Sequence, residues 1–401
     1  MKTIIVFDQA ESYGGSIARI LDIIRETPEH NYIFFTYIDI RSKASDLNIP
    51  NLQLIKISSR FSYQKKLRIK RKLGRLINNF SYFRLFLGKF LALFDLTNEI
   101  LVTLQIRRSL KSERPDILIS NSNLHAVPLR LNKTLNCYHI VIFRSLDQLS
   151  RWTEHTAKID HFISISSPLY SIYKAQIGIP DHKASIIGSP FNALEDLERQ
   201  RKLPHTGLPY NPKLQFTIVC AARICKQKGQ LDACKAFHKS GIWKKAKLII
   251  VGGTDPDELS QDYLNQILTF IERENLNDHI TLVGFQKNPL VWINSADVAL
   301  HCATEFEGLG GTVIEAMQLG KITIASDNGG PSSYIENGKN GFLYKSNDVE
   351  MLSQTLSLVY HQYPKLGHIQ QKAMLNATEQ FSTKSIATRL SEIFDNTRTN
   401  Y

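Results

Sequence analysis

The 401-residue chain has few cysteines and no pattern among them: five, at Cys137, Cys220, Cys225, Cys234 and Cys302, with no CxxC pairing. An odd, scattered set argues against a disulfide framework and gives no zinc-ligand spacing, so these residues are expected to be reduced and mostly buried, as in a cytoplasmic protein. Long apolar runs are also missing. The longest, Tyr82–Phe94, is broken by Arg84 and Lys89 and falls short of the roughly 20 residues that a membrane span needs. The opening MKTIIVFDQAESYGG carries only a short apolar stretch closed by Asp8, which reads as a first β-strand rather than a secretory signal. Repeats and low-complexity tracts are absent. One sign of charge is missing locally: Leu47–Phe94 has no Asp or Glu, yet eleven Lys and Arg lie between Lys56 and Lys89. With 49 Lys+Arg against 37 Asp+Glu overall, nearly all of the net charge of +12 comes from that segment.

What remains is a globular composition, 43% hydrophobic and 21% charged, on a chain long enough for two domains. Short apolar runs (TIIVFD, YIFFTYI, LQLIKI, DILISN, HIVIF, HFISIS) alternate with helical stretches such as GGSIARILDIIRE. Alternating β and α elements imply a parallel sheet covered on both faces. The pattern lapses in LEDLERQRKLPHTGLPYNPK and then restarts with FTIVCAAR, AKLIIVGG, ITLVGF, DVALHCA and ITIASD. The expected division is 1–200 and 201–375, each a Rossmann-like doubly wound parallel-sheet domain, with 376–401 as a C-terminal helical piece. Ligands of such folds lie at the carboxyl ends of the strands, here in a cleft between the two domains.

Four features fall at strand ends. AARICKQKGQ places Arg223 and Lys228 after a strand, with Gly229 opening the next helix. Two cations beside a helix N-terminus suit a diphosphate, although the same residues read equally as a solvated basic loop. VGG at 251–253 and LVGF at 282–285 are tight strand exits that, alone, need be no more than turns. The fourth, ATEFEGLGGTVIEAMQLGK, sets Glu307 on a loop, Gly308, Gly310 and Gly311 behind it, and Glu315 about a turn into a helix. Glycines let backbone approach a ligand closely, and helix amides point at it. Its plain alternative is a loop glycine cluster followed by a glutamate favoured by the helix dipole.

In this order these motifs, closed by SDNGGPSSYIENGKNGFLY, resemble the retaining glycosyltransferase family 4 (glycosyltransferase group 1) of the GT-B fold. The resemblance covers about 150 residues of the second domain; in the first it is limited to TIIVFDQAESYGG and to HFISIS followed by Ser167. It implies that Glu307, first acid of the family's E-x7-E pattern, holds donor-sugar hydroxyls, that Glu315 binds the ribose, and that Arg223 and Lys228 neutralise the diphosphate. Gly308, Leu309, Gly310 and Gly311 supply amides, Gly284 and Phe285 meet the base, and Gly14 and Gly15 close on the donor. It also implies attack on the same face as the leaving group without a protein nucleophile, side-chain cations in place of a metal or other cofactor, and a C-terminal helix returning to the first domain. Thr312, Leu309 and Gly311 depart from the commoner Pro, Phe and Leu, which bears on the identity of the sugar. Where many members carry a histidine after a first-domain strand, HIVIFRSLDQ has Arg144; His125 in SNSNLHAV is the alternative contact.

The stretch RFSYQKKLRIKRKLGRL is basic and NNFSYFRLFLGKFLALF aromatic-rich. Together, over 56–94, they suit a helix lying on an anionic membrane surface. A solvated helix followed by a core helix is the plain alternative, and nucleic-acid binding lacks a recognised module. The expected function is transfer of a sugar from a UDP- or GDP-sugar to a glycan or lipid-linked saccharide in cell-surface polysaccharide or glycolipid synthesis, by a cytoplasmic, peripheral membrane enzyme. The alternatives are a sugar-nucleotide epimerase or hydrolase of the same fold, and a non-catalytic membrane-associated partner.

Overall fold

The computed structural model describes residues 1–10, 14–57, 81–110, 113–122, 125–146, 156–203 and 215–397. The basic run that opens the 56–94 segment lies almost entirely outside the described residues. The chain divides into two compact units: Met1–Ile165 with Tyr170–Ile187 and Ala387–Tyr401, and Ser166–Leu169 with Gly188–Ile386.

In the first unit seven strands form one sheet: β1 (Thr3–Asp8), β2 (Asn31–Thr36), β3 (Leu52–Lys56), β4 (Ile117–Asn121), β5 (Tyr138–Phe143), β6 (His161–Ser164) and β7 (Ala184–Ile186). Their order is β3-β2-β1-β4-β5-β6-β7, and every pair is parallel. β1 is central because its run of Ile4, Ile5, Val6 and Phe7 can be covered on both faces; all four are fully buried. Ile5 stands between Ile33 of β2 and Leu118 of β4 in register. Helix Gly15–Glu26 turns Ile17, Ile20, Leu21 and Ile24 inward, the i, i+3, i+4, i+7 stripe of a helix laid on a sheet. Lys2 Nζ donates to the Phe394 and Thr397 carbonyls at 2.5 and 3.1 Å, tying the C-terminal residues to β1.

In the second unit β8 (Phe216–Ala221), β9 (Ala246–Val251), β10 (Ile280–Leu282), β11 (Val298–His301), β12 (Ile322–Ser326) and β13 (Phe342–Tyr344) form a parallel sheet of order β10-β9-β8-β11-β12-β13. Counted within this unit the order is third, second, first, fourth, fifth, sixth. It reverses between β8 and β11, which opens a crevice at their carboxyl ends. The apolar runs Ile218, Leu248, Ile250, Leu300 and Ile324 are buried with Phe237, Ile267, Leu352 and Leu356 from the covering helices.

The division at Ile187–Gly188 comes earlier than the expected 200/201. The charged stretch from Leu194 starts as a helix, Ala193–Arg201. Its Leu197 is buried among Val219, Ile249 and Trp292 of the second unit, and Gln200 Oε1 accepts from the Leu290 amide at 2.9 Å. A single inward leucine among charged neighbours leaves little periodicity for the sequence to show. At the other end, 376–401 is not one piece. It holds the end of helix Gly367–Phe381 and the whole of Thr383–Asp395, and Ala387–Tyr401 belongs to the first unit.

Candidate active site

The turns leaving β8, β9 and β10 are stitched together by backbone. Ala222 N donates to Val251 O at 3.0 Å, Ile224 N to Gly253 O at 2.8 Å, and Gly252 N to Gly284 O at 2.9 Å. AAR, VGG and LVGF, far apart in sequence, are therefore one surface at the carboxyl edge of the second sheet. Phe285, at its outer end, is 74% exposed. Gly229 caps helix Gln230–Lys239 with φ of +65°, and a Cβ there would sit 1.9 Å from the Cys302 carbonyl oxygen. Only glycine brings this helix start so close to the end of β11.

That approach places Lys228 beside Glu307. The Lys228 ammonium donates to Glu307 Oε2, and His301, the last residue of β11, lies with Nε2 3.2 Å from the same oxygen. Burial works against the ionised carboxylate, but the His301 hydrogen bond and the Lys228 charge outweigh it and hold the carboxyl at about 2. The backbone of Glu307 is fixed as well: its amide donates to Asn328 O at 3.0 Å and its carbonyl accepts from Gly330 N at 2.7 Å.

The rest of the glycine-rich loop is braced by protein. Gly308 O accepts from Ser166 Oγ at 2.6 Å and Leu309 O from Tyr334 Oη at 2.8 Å. Leu309 is buried, Gly310 abuts Pro331 and Tyr334, and Gly311 abuts the Phe191 ring. Helix Gly311–Gln318 follows, with Glu315 half-buried within it. Arg223 is engaged from outside: Nη1 donates to Asp255 Oδ2 at 2.6 Å. His301 and Asp255 were assigned no role from the sequence, and the Asn328–Gly330 turn was read only as part of the SDNGGPSS motif, without its hold on Glu307. Signals existed, a histidine closing the strand DVALH and an Asn-Gly-Gly after ITIASD, but neither says which carboxylate it will meet.

Residues 210–375 match the family described as Glycosyl transferases group 1. The group 1 segment contains the Lys228–Glu307 pair, Arg223, Glu315 and all three stitched turns. Among relatives, the chain is 31% identical over 219 residues to the putative glycosyltransferase EpsD of Bacillus subtilis, covering 53% of this chain and 54% of EpsD. It is 21% identical over 252 residues to the putative colanic acid biosynthesis glycosyltransferase WcaL of Salmonella typhimurium, covering 60% of this chain and 58% of WcaL. The matches thus span little more than half the length of these relatives. In structure the chain is similar to Anabaena HepE in complex with UDP, with a TM-score of 0.74 and 16% identity over 99% of this chain and 100% of that one. The architecture is the GT-B fold of two parallel-sheet α/β units.

Outside the group 1 segment, the first unit has its own polar cluster at the ends of β1, β4 and β5. Asp8 is fully buried; its Oδ1 accepts from Ala10 N at 2.7 Å and its Oδ2 from Asn121 Nδ2 at 2.5 Å. Arg144 Nε donates to Asn121 Oδ1 at 2.9 Å. Burial pushes the Asp8 carboxyl up, against the pull of those bonds and of Arg144, and draws the Arg144 guanidinium down to about 10. His125, the other candidate, bonds locally, with Nε2 3.0 Å from Ser122 O. Gly14 and Gly15 open helix Gly15–Glu26, and a Cβ at either meets nothing within 4 Å among the described residues, so no packing contact among them requires glycine there.

Proposed function

We propose that the protein is a retaining glycosyltransferase of family 4 that moves a sugar from a nucleotide-diphosphate sugar, a UDP-sugar first and a GDP-sugar second, to a glycan or lipid-linked saccharide. The observation that carries this is the meeting of Glu307 with Lys228 at the switch point of the group 1 segment. An ionised, half-sequestered carboxylate accepts sugar hydroxyls, while Lys228 and Arg223 face the charge that develops as the sugar–phosphate bond breaks. Fixed cations and amides act most strongly on such a leaving group. Backbone amides of Gly308–Gly311 add to them, Glu315 takes the ribose hydroxyls, and Gly284 and Phe285 lie against the base. The leaving diphosphate is met by side chains, and the acceptor attacks on the face that the leaving group vacates, so no enzyme nucleophile is assigned. HepE was crystallised with UDP, and with UDP-glucose, which favours UDP as the nucleotide here.

For the acceptor we propose a lipid-linked or cell-surface saccharide, reached at the cytoplasmic face of an anionic membrane. Support comes from helix Ser81–Leu110, which is apolar on two sides. Val102, Ile106 and Leu110 enter the core, whereas Leu93, Leu96, Ile100, Leu101 and Leu104 are 38–60% exposed and follow the basic run in sequence. No helix among the described residues is long and apolar enough to cross a membrane.

The test is a panel of UDP-, GDP- and ADP-sugars read by thermal shift and by donor hydrolysis, comparing wild type with Glu307→Ala and Arg223→Ala. One nucleotide class stabilising wild type, with slow sugar release lost in both variants, is the expected result. No shift with any nucleotide-sugar refutes the donor site. Product NMR then reads the anomeric configuration, and sedimentation with anionic against zwitterionic vesicles reads the membrane contact.

A further inference from the structure

We propose that His301 is a positioning residue for Glu307, holding one carboxylate oxygen so that the other is presented to the donor sugar. This rests on the reading of Glu307 as the acceptor of sugar hydroxyls. The Lys228 and His301 bonds both end on Oε2, and no described residue donates to Oε1. The two anchors differ in kind. Lys228 reaches the carboxylate on a long chain whose side chain is 29% exposed, and a diphosphate competes for its ammonium. His301 is 7% exposed, has two rotatable bonds, and sits on β11, which is paired with β8 and β12. When Lys228 turns to phosphate, His301 is the bond that stays.

The proton inventory fixes its role. A carboxylate held at about 2 accepts and never donates at neutral pH, so His301 Nε2 carries the hydrogen. Nδ1 is buried and finds no partner among the described residues, so a hydrogen placed there would be a buried, unpaired N–H. His301 therefore donates from Nε2 to Glu307, a fixed strut rather than a group that exchanges protons with substrate. Losing it frees the carboxylate to rotate, so that Oε1 is no longer held toward the donor sugar.

The experiment compares His301→Leu, His301→Gln and His301→Asn in the full chain, measuring affinity for UDP-glucose and for UDP alone, and donor-hydrolysis kinetics. A glutamine amide reaches the position of Nε2, whereas an asparagine amide reaches only that of Nδ1. Losing a hydrogen bond to a charged group is expected to cost about tenfold or more in UDP-glucose affinity or hydrolysis in the Leu and Asn variants. The Gln variant is expected to stay within about threefold of wild type, and UDP binding to change far less than UDP-glucose binding. In a Glu307→Gln background, His301→Leu is expected to add little. Nitrogen NMR of the wild type should show the Nε2–H tautomer. Equal losses for Gln and Asn, equal losses for UDP and UDP-glucose, or full additivity with Glu307→Gln overturns the positioning role while leaving the donor site standing. Failure of the wild type to bind any nucleotide-sugar overturns both. If His301→Leu does not fold, the Gln–Asn comparison and the tautomer decide.

Discussion

Lys228 and Glu307 are 79 residues apart in sequence and share a charge-assisted hydrogen bond at the carboxyl edge of one sheet. With side chains 29% and 17% exposed, they are neither a surface pair nor a buried one. The contact links the loop after β8 to the loop after β11 across the strand reversal.

Lys228→Met should therefore cost more stability than an exposed ion pair does, about 1–3 kcal/mol, because it leaves Glu307 partly desolvated with one donor fewer. The sign with pH follows from the depressed carboxyl. Its stabilisation is present above the ordinary value of 4.5 and is lost as pH falls toward about 2. Denaturant unfolding of wild type and Glu307→Gln should thus converge as pH is lowered through that window. A constant gap between them denies the depressed value.

Arg223 and Asp255 are a contrasting pair, 55% and 45% exposed. Such pairs contribute about 0–1 kcal/mol. Asp255→Ala is expected to leave the melting temperature nearly unchanged and to improve nucleotide affinity slightly, since it releases the cation. Arg223→Ala should weaken UDP binding about tenfold or more, by loss of a charged hydrogen-bond donor. Calorimetric titration with UDP separates these outcomes; equal effects of the two substitutions would deny Arg223 a phosphate contact.

Glycines at the site divide by what surrounds them. At Gly330 a Cβ would stand 2.4 Å from Leu309 Cα, so Gly330→Ala must displace the turn that grips the Glu307 carbonyl. Loss of about 1–3 kcal/mol is expected, as for overpacking, together with loss of donor binding. At Gly15 no described residue lies near a Cβ and the residue is helical, so Gly15→Ala should stabilise by up to about 1 kcal/mol. Loss of donor turnover in a Gly15→Ala protein of raised stability is expected and assigns that glycine to the ligand; retained turnover removes it from the donor site.

His139 supplies a pH prediction for the first unit. It is fully buried, its Nε2 lies 2.8 Å from Ser120 Oγ, and burial pulls its pKa down to about 3. The unfolded chain takes up a proton below the ordinary 6.5 while the folded ring stays neutral. Stability from this group is therefore full above 6.5 and is lost as pH falls from 6.5 toward 3. His139→Gln should flatten that part of the stability–pH curve, measured by denaturant unfolding between pH 7 and 4; an unchanged slope would show that other groups carry it.

Much of this was legible beforehand, and for a physical reason. A strand buried on both faces must be a continuous apolar run, so TIIVFD, FTIVCA and AKLIIV declare themselves, and alternation with helices then dictates parallel sheets. The glutamates at 307 and 315 and the cations at 223 and 228 were visible because their spacing belongs to a local strand–loop–helix turn. Helix Ala193–Arg201 was not visible: one buried leucine does not make a periodic signal.

The sequence by itself determined which segments become sheet, which loops are rich in glycine and cations, and where the charge is one-sided, since each is set by neighbours along the chain. Only the tertiary structure decided that Lys228 and His301 converge on one oxygen of Glu307, that Gly330 grips its backbone, that Asp255 engages Arg223, and that Asn121 lies between Asp8 and Arg144. Those pairings come from strand order, β9, β8, β11 and β12 side by side in one sheet and β1, β4 and β5 in the other. Strand order is fixed by how whole faces pack, and no local stretch of residues encodes that.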